Sequence, residues 1–309
     1  MLEPRRLVLV DIIVVNWNCS ELTHNAIQPY LDYQDDEIAV NIHIVDNGSE
    51  DDISILQRLN VNFIQNERNL GFGNACNAAL EYCKGDYILL LNPDTESKVS
   101  TLKHLIDLLL KNKEMACAGP QIINKQNEIQ LTCSRFPSFT SAFFNILSIS
   151  RYIFKKQLKP IIMLDWPHDQ SKIVNAVMGC YCLIKKPIID KYGFFDDRYF
   201  MYLEDLDLQK HFNDNGYYSY YSTEVNIYHE GGGVSKQVKA KRLYYSLHSN
   251  ILYNKKYFKG IKSAILYFSS IVLEPIVRLG HSIVTFNKFQ FKETLEAYKL
   301  LYNKLYNEK

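Results

Sequence analysis

Asp94 stands directly behind a short apolar run, Tyr87-Ile88-Leu89-Leu90-Leu91-Asn92-Pro93. With Gly85 before it and Pro93 behind it, the run reads as a buried parallel strand. It has to end where proline cannot donate to a ladder. A carboxylate just past the carboxyl end of a central strand sits where open α/β sheets place ligands and catalytic groups. There it suits a divalent cation that holds a diphosphate. The same residue type also caps helices and forms turns. Position 94 alone does not separate these readings.

Other strand ends carry polar groups as well. Residues 12–15 run into Asn16-Trp17-Asn18, and 41–45 into Asp46-Asn47-Gly48-Ser49. Parallel strands share their carboxyl edge, so Asn16, Asp46 and Asp94 line one crevice. Asp46-Asn47-Gly48-Ser49 is also a run of turn formers. Asn69-Leu70-Gly71-Phe72-Gly73-Asn74, with Asn77, is a glycine-bearing entry to a helix. Glycines permit close backbone approach and helix N-termini favour anions, although the pattern is neither a dinucleotide fingerprint nor a P-loop. Asn74 and Asn77, one helical step apart, would present amides on one face.

Glu204, Asp205 and Asp207 open another helix. First-turn acids complement the helix dipole. Crowded acids also repel, which raises a pKa toward that of a useful base, with Asp205 presented to an acceptor hydroxyl. His229, ahead of Gly231-Gly232-Gly233, is a structural histidine or a group at a site edge beside a mobile loop.

The elements that must position these groups alternate strand and helix over the first 120 residues, which predicts an α/β fold: a mostly parallel sheet with helices on both faces. Ser20 is expected to cap the first helix, which runs to about residue 31, and Gly85 to stop the helix that ends near Tyr82. Residues 102–110 read as a helix and 115–118 as a short strand. Further strands are expected at 61–64, 173–184, 217–221 and 225–228, and a helix at 204–213. Phe143, Phe144, Ile146, Leu147, Tyr152, Ile153 and Phe154, followed by Lys155, Lys156 and Lys159, form either a core-packing or an amphipathic surface helix.

After about residue 235 the pattern is helical to the end, which gives two regions, 1–235 and 236–309. Residues 263–273 carry no charge, and Pro275 is expected to kink or end that helix. The stripe continues through Ile276, Val277, Leu279, Ile283, Val284 and Phe286, punctuated by Lys262, Arg278, His281 and Lys288. It reads as too interrupted to span a bilayer and suits a membrane-surface helix pair or a homo-oligomer contact.

The 309 residues carry a net charge of +1, which argues against a dedicated nucleic-acid binder. The 22 tyrosines suit a sugar-lined cleft or a membrane interface. Seven scattered cysteines without zinc spacing read as reduced thiols in a cytosolic protein. The apolar stretch 7–15 is interrupted by Asp11 and reads as a first strand rather than a signal peptide.

Taken in order, these stretches resemble glycosyltransferase family 2, the inverting enzymes of GT-A fold, and within it the bacterial rhamnosyltransferase-like and galactofuranosyltransferase-like members. The resemblance rests on Val14-Val15-Asn16-Trp17-Asn18, Val45 to Ser49, Asn69 to Asn74, Leu91-Asn92-Pro93-Asp94, Gly193-Phe194-Phe195-Asp196 with Tyr202 to Asp207, and His229 before Gly231. It implies a Rossmann-like GT-A domain with a helical C-terminal extension. It implies a nucleotide-diphosphate-sugar donor contacted by Asn16, Asp46, Gly71, Phe72, Asn74, Asn77 and Asn92, with Gly179 leaving space beside the donor sugar. It implies Asp205 as base, supported by Glu204, and a divalent metal (Mg²⁺ or Mn²⁺) held by Asp94 and His229. Asn92 stands where the family's Asp-x-Asp motif has its first acid, so the metal has one anionic ligand fewer. The expected donors are dTDP-rhamnose or a UDP-hexose, and the expected acceptor is a glycan or a polyprenyl-diphosphate-linked sugar. The expected place is the cytoplasm, at the inner face of the membrane. A sugar nucleotidyltransferase would need a Gly-rich basic loop after the first strand, where Asn16-Trp17-Asn18-Cys19-Ser20 stands instead. A non-catalytic binding subunit should have lost an acid at 94 or 205, and both are present.

Overall fold

The computed structural model describes residues 7–31, 33–147, 161–231 and 239–307. The chain runs β1 (Val8–Asn16), α1 (Ser20–Ile27), β2 (Ile38–Asp46), α2 (Ser54–Gln57), β3 (Asn62–Gln65), α3 (Phe72–Leu80) and β4 (Tyr87–Leu91). It continues through β5 (Thr95–Glu96), α4 (Val99–Lys111), β6 (Met115–Ile123), α5 (Phe139–Ile146), β7 (Lys172–Val174), β8 (Tyr181–Lys185), α6 (Lys186–Tyr192), α7 (Glu204–Asp214) and β9 (Tyr218–His229). Four helices follow: α8 (Lys239–Tyr257), α9 (Ile261–Phe268), α10 (Glu274–Val284) and α11 (Lys288–Asn307), with a π turn, Ser269–Leu273, joining α9 to α10.

Strand alternation decides which core each residue enters. Every residue of β4 is buried, with Leu89 and Leu91 in one core and Ile88 and Leu90 in the other. β1 does the same, sending Val10, Ile12 and Val14 to the first core and Ile13 to the second. Period-2 side-chain placement makes a strand covered on both faces read as a continuous apolar run. Leu102, Leu105 and Leu109 of α4 close the first core, and Ala75 and Ala79 of α3 with Leu208 and Phe212 of α7 close the second.

The sheet order is β3-β2-β1-β4-β8-β6-β9-β5, with β7 on β9. β1, β2, β3 and β4 are mutually parallel where they pair, as are β6 and β9. β8 enters antiparallel between β4 and β6. The order reverses at β1, whose neighbours are β2 and β4. Such a switch point opens a crevice at the carboxyl ends of the strands.

Several local expectations change. Ser20 is the first residue of α1 rather than its cap. Asp51 Oδ2 instead accepts from the Ser20 N–H (3.0 Å) and hydroxyl (2.9 Å), satisfying an orphan helix donor from another loop. The α3 helix ends at Leu80, and Gly85 is held by Asp11 of β1 rather than closing that helix. The single strand expected over 173–184 divides into β7 and β8, which pair with different partners. The two strands expected over 217–228 are one, β9, with its register to β6 shifting at Pro120/Gln121. Of the helix expected near 143–154, α5 packs Ala142 and Ile146 against Leu266 of α9. Residues 148–160, like Gly232 and Gly233, lie outside the described residues. Pro275 does not break the C-terminal pattern, because the π turn precedes it and α10 continues from Glu274. The resulting 24-residue helix, Ile261–Val284, has mean hydropathy 1.3, long and apolar enough to cross a bilayer by length and composition.

Candidate active site

The crevice is assembled by register. Asn16 lies opposite Asp46, and Leu91 opposite Val14, so Asn92 to Asp94 emerge level with the end of β1. Antiparallel pairing of β8 brings its start to the same edge, where the Asn92 N–H donates to the Cys180 carbonyl (2.8 Å). Thr95 pairs with His229, which carries the end of β9 to Asp94. Nothing in the sequence marked the two-residue strand β5, yet it fixes that pair.

Asn16 and Asp46 are both fully buried. The Asn16 amide donates to Asp46 Oδ1 (2.9 Å) and to the Ser49 hydroxyl (3.1 Å), and its carbonyl accepts from Thr23 (2.8 Å). Their side chains therefore hold the crevice floor from beneath. Asn47, not singled out in the sequence, links this floor to the glycine-bearing entry of α3. Its amide donates to Asn69 Oδ1 (3.0 Å) and the Gly71 carbonyl (3.2 Å), and its own oxygen accepts from the Leu70 N–H (3.0 Å).

The α3 entry is turned toward the segment before α7. Asn77 exchanges two hydrogen bonds with the backbone of Phe195 (2.8 and 3.1 Å), and the Asn74 amide donates to the Leu70 and Asp197 carbonyls. The Phe72 ring meets Phe195 edge to face, and its N–H donates to the Phe200 carbonyl (3.0 Å). These groups tie the 195–200 segment down, and their amides are spent on that.

Asp94 and His229 form the oxygen–nitrogen pair of the site, with Oδ1 and Nε2 3.1 Å apart. Burial alone would lower the imidazole pKa, but Asp94 and Cys180 outweigh it and push it up to about 10. His229 Nδ1 is buried without a hydrogen-bond partner among the described residues. Adjacent ligands of an octahedral ion at about 2.1 Å stand about 3 Å apart. With the imidazole proton displaced, this carboxylate–imidazole pair fits a hard or borderline divalent cation.

Glu204 is buried and Asp205 half-buried beside it, and the two share a proton-holding problem. Burial raises both pKa values, and the Asp205 charge adds to the rise at Glu204. Asp205 accepts from the backbone N–H groups of Gly179 (3.0 Å) and Leu206 (2.8 Å). Glu204 Oε2 has no hydrogen-bond partner among the described residues. Donors favour the charged form, so Asp205 carries the charge and Glu204 the proton, with its pKa pushed up to about 8. Gly179 makes its room for this carboxylate: a Cβ there would lie 3.3 Å from Asp205 Cβ.

The folded state holds the Glu204 proton more tightly than the unfolded chain does. Stability tied to that proton is lost as pH rises from the ordinary glutamate range through about 8. The melting temperature of the wild type is expected to fall relative to Glu204→Gln as pH is raised over that window, and to level off above it. Parallel melting curves would remove Glu204 from the buried pair.

The third acid plays a different part. Asp207 accepts from Lys256 of α8 (2.7 Å), which also reaches Asp196 (2.8 Å), so Asp207 is paired rather than crowding Asp205. The residues just ahead of the acids, Tyr202 and Leu203, have φ of 70° and 65°, a left-handed pair costing about 1–3 kcal/mol each. α8 holds them in place. Ser249 donates to the Met201 carbonyl (2.8 Å), Arg242 to the Tyr202 hydroxyl (3.0 Å), and Tyr245 stacks on Phe200 at 4.3 Å. Tyr253 packs with Tyr199 and Leu206. Lys256→Met leaves the buried Asp207 without its cation and is expected to cost about 3 kcal/mol, a fall in Tm of roughly 6–10 °C. Differential scanning calorimetry reads this, and an unchanged Tm would mean the pair does not hold α8 to the site.

A second donor cluster, Asp11, His43 and Cys83, is buried in the other half of the sheet, about 16 Å back along β1 from Asn16. Its donors are engaged internally. Asp11 Oδ1 faces His43 Nε2 (2.9 Å) and Asn41 (3.2 Å), Oδ2 accepts from Gly85 (2.5 Å), and His43 Nδ1 faces Asn62 (3.0 Å). This network accounts for the charge that interrupts the first apolar run.

The family model "Glycosyl transferase family 2" matches residues 11–169, more than half of the chain. The chain belongs to glycosyltransferase family 2. As a member of that family it is a glycosyltransferase with a GT-A domain and added C-terminal helices. It is similar to the N-acetylglucosaminyl-diphospho-decaprenol L-rhamnosyltransferase of Mycobacterium tuberculosis, 23% identical over 207 residues, covering 62% of this chain and 67% of that protein. A shorter stretch of 119 residues, 37% of this chain and 17% of the relative, is 31% identical to the chondroitin synthase of Escherichia coli. Among solved structures, the mannosyltransferase PcManGT of Pyrobaculum calidifontis, in complex with GDP-Man and Mn²⁺, aligns with TM-score 0.56 at 14% identity, over 99% of this chain and 89% of that one. TarS of S. aureus aligns with TM-score 0.51 at 13% identity, over 94% and 82%. Both likenesses are of fold. They extend the match beyond residue 169, to the part of the chain that holds Asp205 and His229.

Proposed function

We propose that this family 2 enzyme is inverting. It would move a sugar from dTDP-rhamnose or a UDP-hexose to a hydroxyl of a glycan or polyprenyl-diphosphate-linked acceptor, in bacterial surface polysaccharide synthesis on the cytoplasmic side of the membrane. The observation that carries this reading is Asp205. It is a half-buried carboxylate that accepts from two backbone N–H groups, which favour its charged form, at the strand edge that also carries Asp94 and His229. Asp205 takes the proton of the acceptor hydroxyl, the freed oxygen bonds to the anomeric carbon, and the bond from that carbon to the diphosphate breaks with its electron pair. One displacement inverts the anomeric centre. When bound, a divalent cation held by Asp94 and His229 would stabilise the charge on the departing diphosphate. The decaprenol-linked acceptor in the name of the mycobacterial relative supports the acceptor class, and its rhamnosyl transfer supports the first donor.

The test is a donor screen that reads release of nucleoside diphosphate with lipid-linked acceptors, with and without chelator, on wild type and Asp94→Asn. Release with one donor, lost in both the chelated enzyme and the variant, is expected. Turnover that ignores the chelator would overturn the metal role. A product that retains the donor's anomeric configuration would overturn the single displacement.

A further inference from the structure

The helix Ile261–Val284 is built inside out. Apart from Leu266, the side chains it buries against its neighbours are polar: Ser269, Ser270, Glu274 and Ser282. Beside Lys262, the large side chains it turns outward are apolar: Ile261, Ile265, Phe268, Ile276, Ile283 and Val284. Exposed positions recur every three or four residues before the π turn and again after it, with half-buried Ile271, Val272 and Leu273 between the two groups, along a helix about 36 Å long. The turn between α10 and α11 extends it with Phe286 and Phe289, 91% and 82% exposed. A helix end in water has no reason to place two phenylalanines there. Between residues 255 and 304 the chain carries nine Lys and Arg against three Glu, with Lys288 and Lys292 beside those two rings. A groove of about 400 Å³ between α10 and α11, walled by Pro275, Leu279, Leu295 and Tyr298 with Lys299 on it, adds apolar surface.

We propose that α9, the π turn and α10 lie in the plane of an anionic lipid bilayer. Their apolar stripe is sunk to the acyl boundary, Phe286 and Phe289 are inserted at its end, and the surrounding lysines lie among the headgroups. The charge decides the occupant. A two-fold pairing of two copies would set the same cationic rim against itself, whereas an anionic surface complements it. Spanning is opposed by the packing. Tyr298 and Tyr302 of α11 donate to the carbonyls of Ser270 and Ile271, and α8 lies against the same helix, so a spanning α9–α10 would carry the lysines of α8 and α11 into hydrocarbon. The inference sharpens the membrane side of the proposed function but stands on this helix alone, and its test needs no turnover.

Full-length protein is mixed with vesicles of phosphatidylcholine, alone or with about one third phosphatidylglycerol, and floated on a density gradient. The wild type is expected to rise with the anionic vesicles and to be partly released by high salt. Phe286→Ser/Phe289→Ser is expected to lose partition about tenfold or more with an unchanged Tm, since both rings are exposed. Failure of the wild type to float would overturn the proposal. So would light scattering that finds a dimer which the double variant breaks, because the stripe would then be an interface between copies. Resistance to alkaline carbonate extraction would overturn the in-plane placement in favour of a spanning helix.

Discussion

Asp205→Asn is expected to lower kcat by about 10²–10⁴-fold while leaving the donor KM nearly unchanged and Tm within a degree or two of the wild type. In the proposed displacement the carboxylate takes a proton while the acceptor oxygen bonds to the anomeric carbon, and an amide has no basicity for that. The geometry explains why the loss should fall on kcat. Asp205 is placed by the Gly179 and Leu206 N–H groups, not by any donor-side residue. An asparagine keeps one accepting oxygen, so at most one of those two bonds is lost. That cost is offset by the relief of burying one acid fewer beside Glu204. Rates measured at saturating donor, with NDP release as readout, check it. Activity that survives intact would remove Asp205 as the base and leave Glu204 as the nearest acid.

What the sequence made legible follows from what a linear pattern can encode. Burial on both faces writes itself into Tyr87 to Leu91 as an unbroken apolar run, and a parallel sheet then fixes where Asn16, Asp46 and Asp94 emerge. The crossing of β8 does not write itself in the same way. Its run from Tyr181 is as apolar as a parallel strand, and direction in a sheet leaves no mark on a buried strand. Thr95-Glu96 is too short for any period to show, so the strand that joins Asp94 to His229 stayed hidden. Asp207 looked like a third crowded acid because Lys256, which neutralises it, lies 49 residues away in sequence. The inverted C-terminal helix was visible as a stripe. Only packing shows that Ser269, Ser270 and Glu274 are its inner face.

Gly71→Ala is expected to be the most destabilising single methyl in the chain, costing more than about 4 kcal/mol. Two effects add. Gly71 has φ +87° and ψ 169°, a conformation that L residues essentially never adopt. A Cβ there would also stand 2.0 Å from the Phe200 carbonyl oxygen and 2.7 Å from its carbon. These are backbone atoms, and they cannot swing aside as a side-chain tip would. Phe200 is moreover the acceptor of the Phe72 N–H and leads into the left-handed pair at Tyr202 and Leu203. Relieving the clash therefore pulls on the segment that delivers Glu204 and Asp205. Gly73→Ala is the internal control. Its Cβ would meet the Phe195 side chain at 3.0 Å, inside a helix and with ordinary φ, so a much smaller loss of Tm is expected. The resemblance assigns Gly71 to the donor. The structure adds a second demand at Gly71 alone, close passage of two backbones, and that demand predicts the order of the two variants. Equal melting temperatures for Gly71→Ala and Gly73→Ala would show that the 195–203 segment yields freely, and that Asp205 is not held from the α3 side.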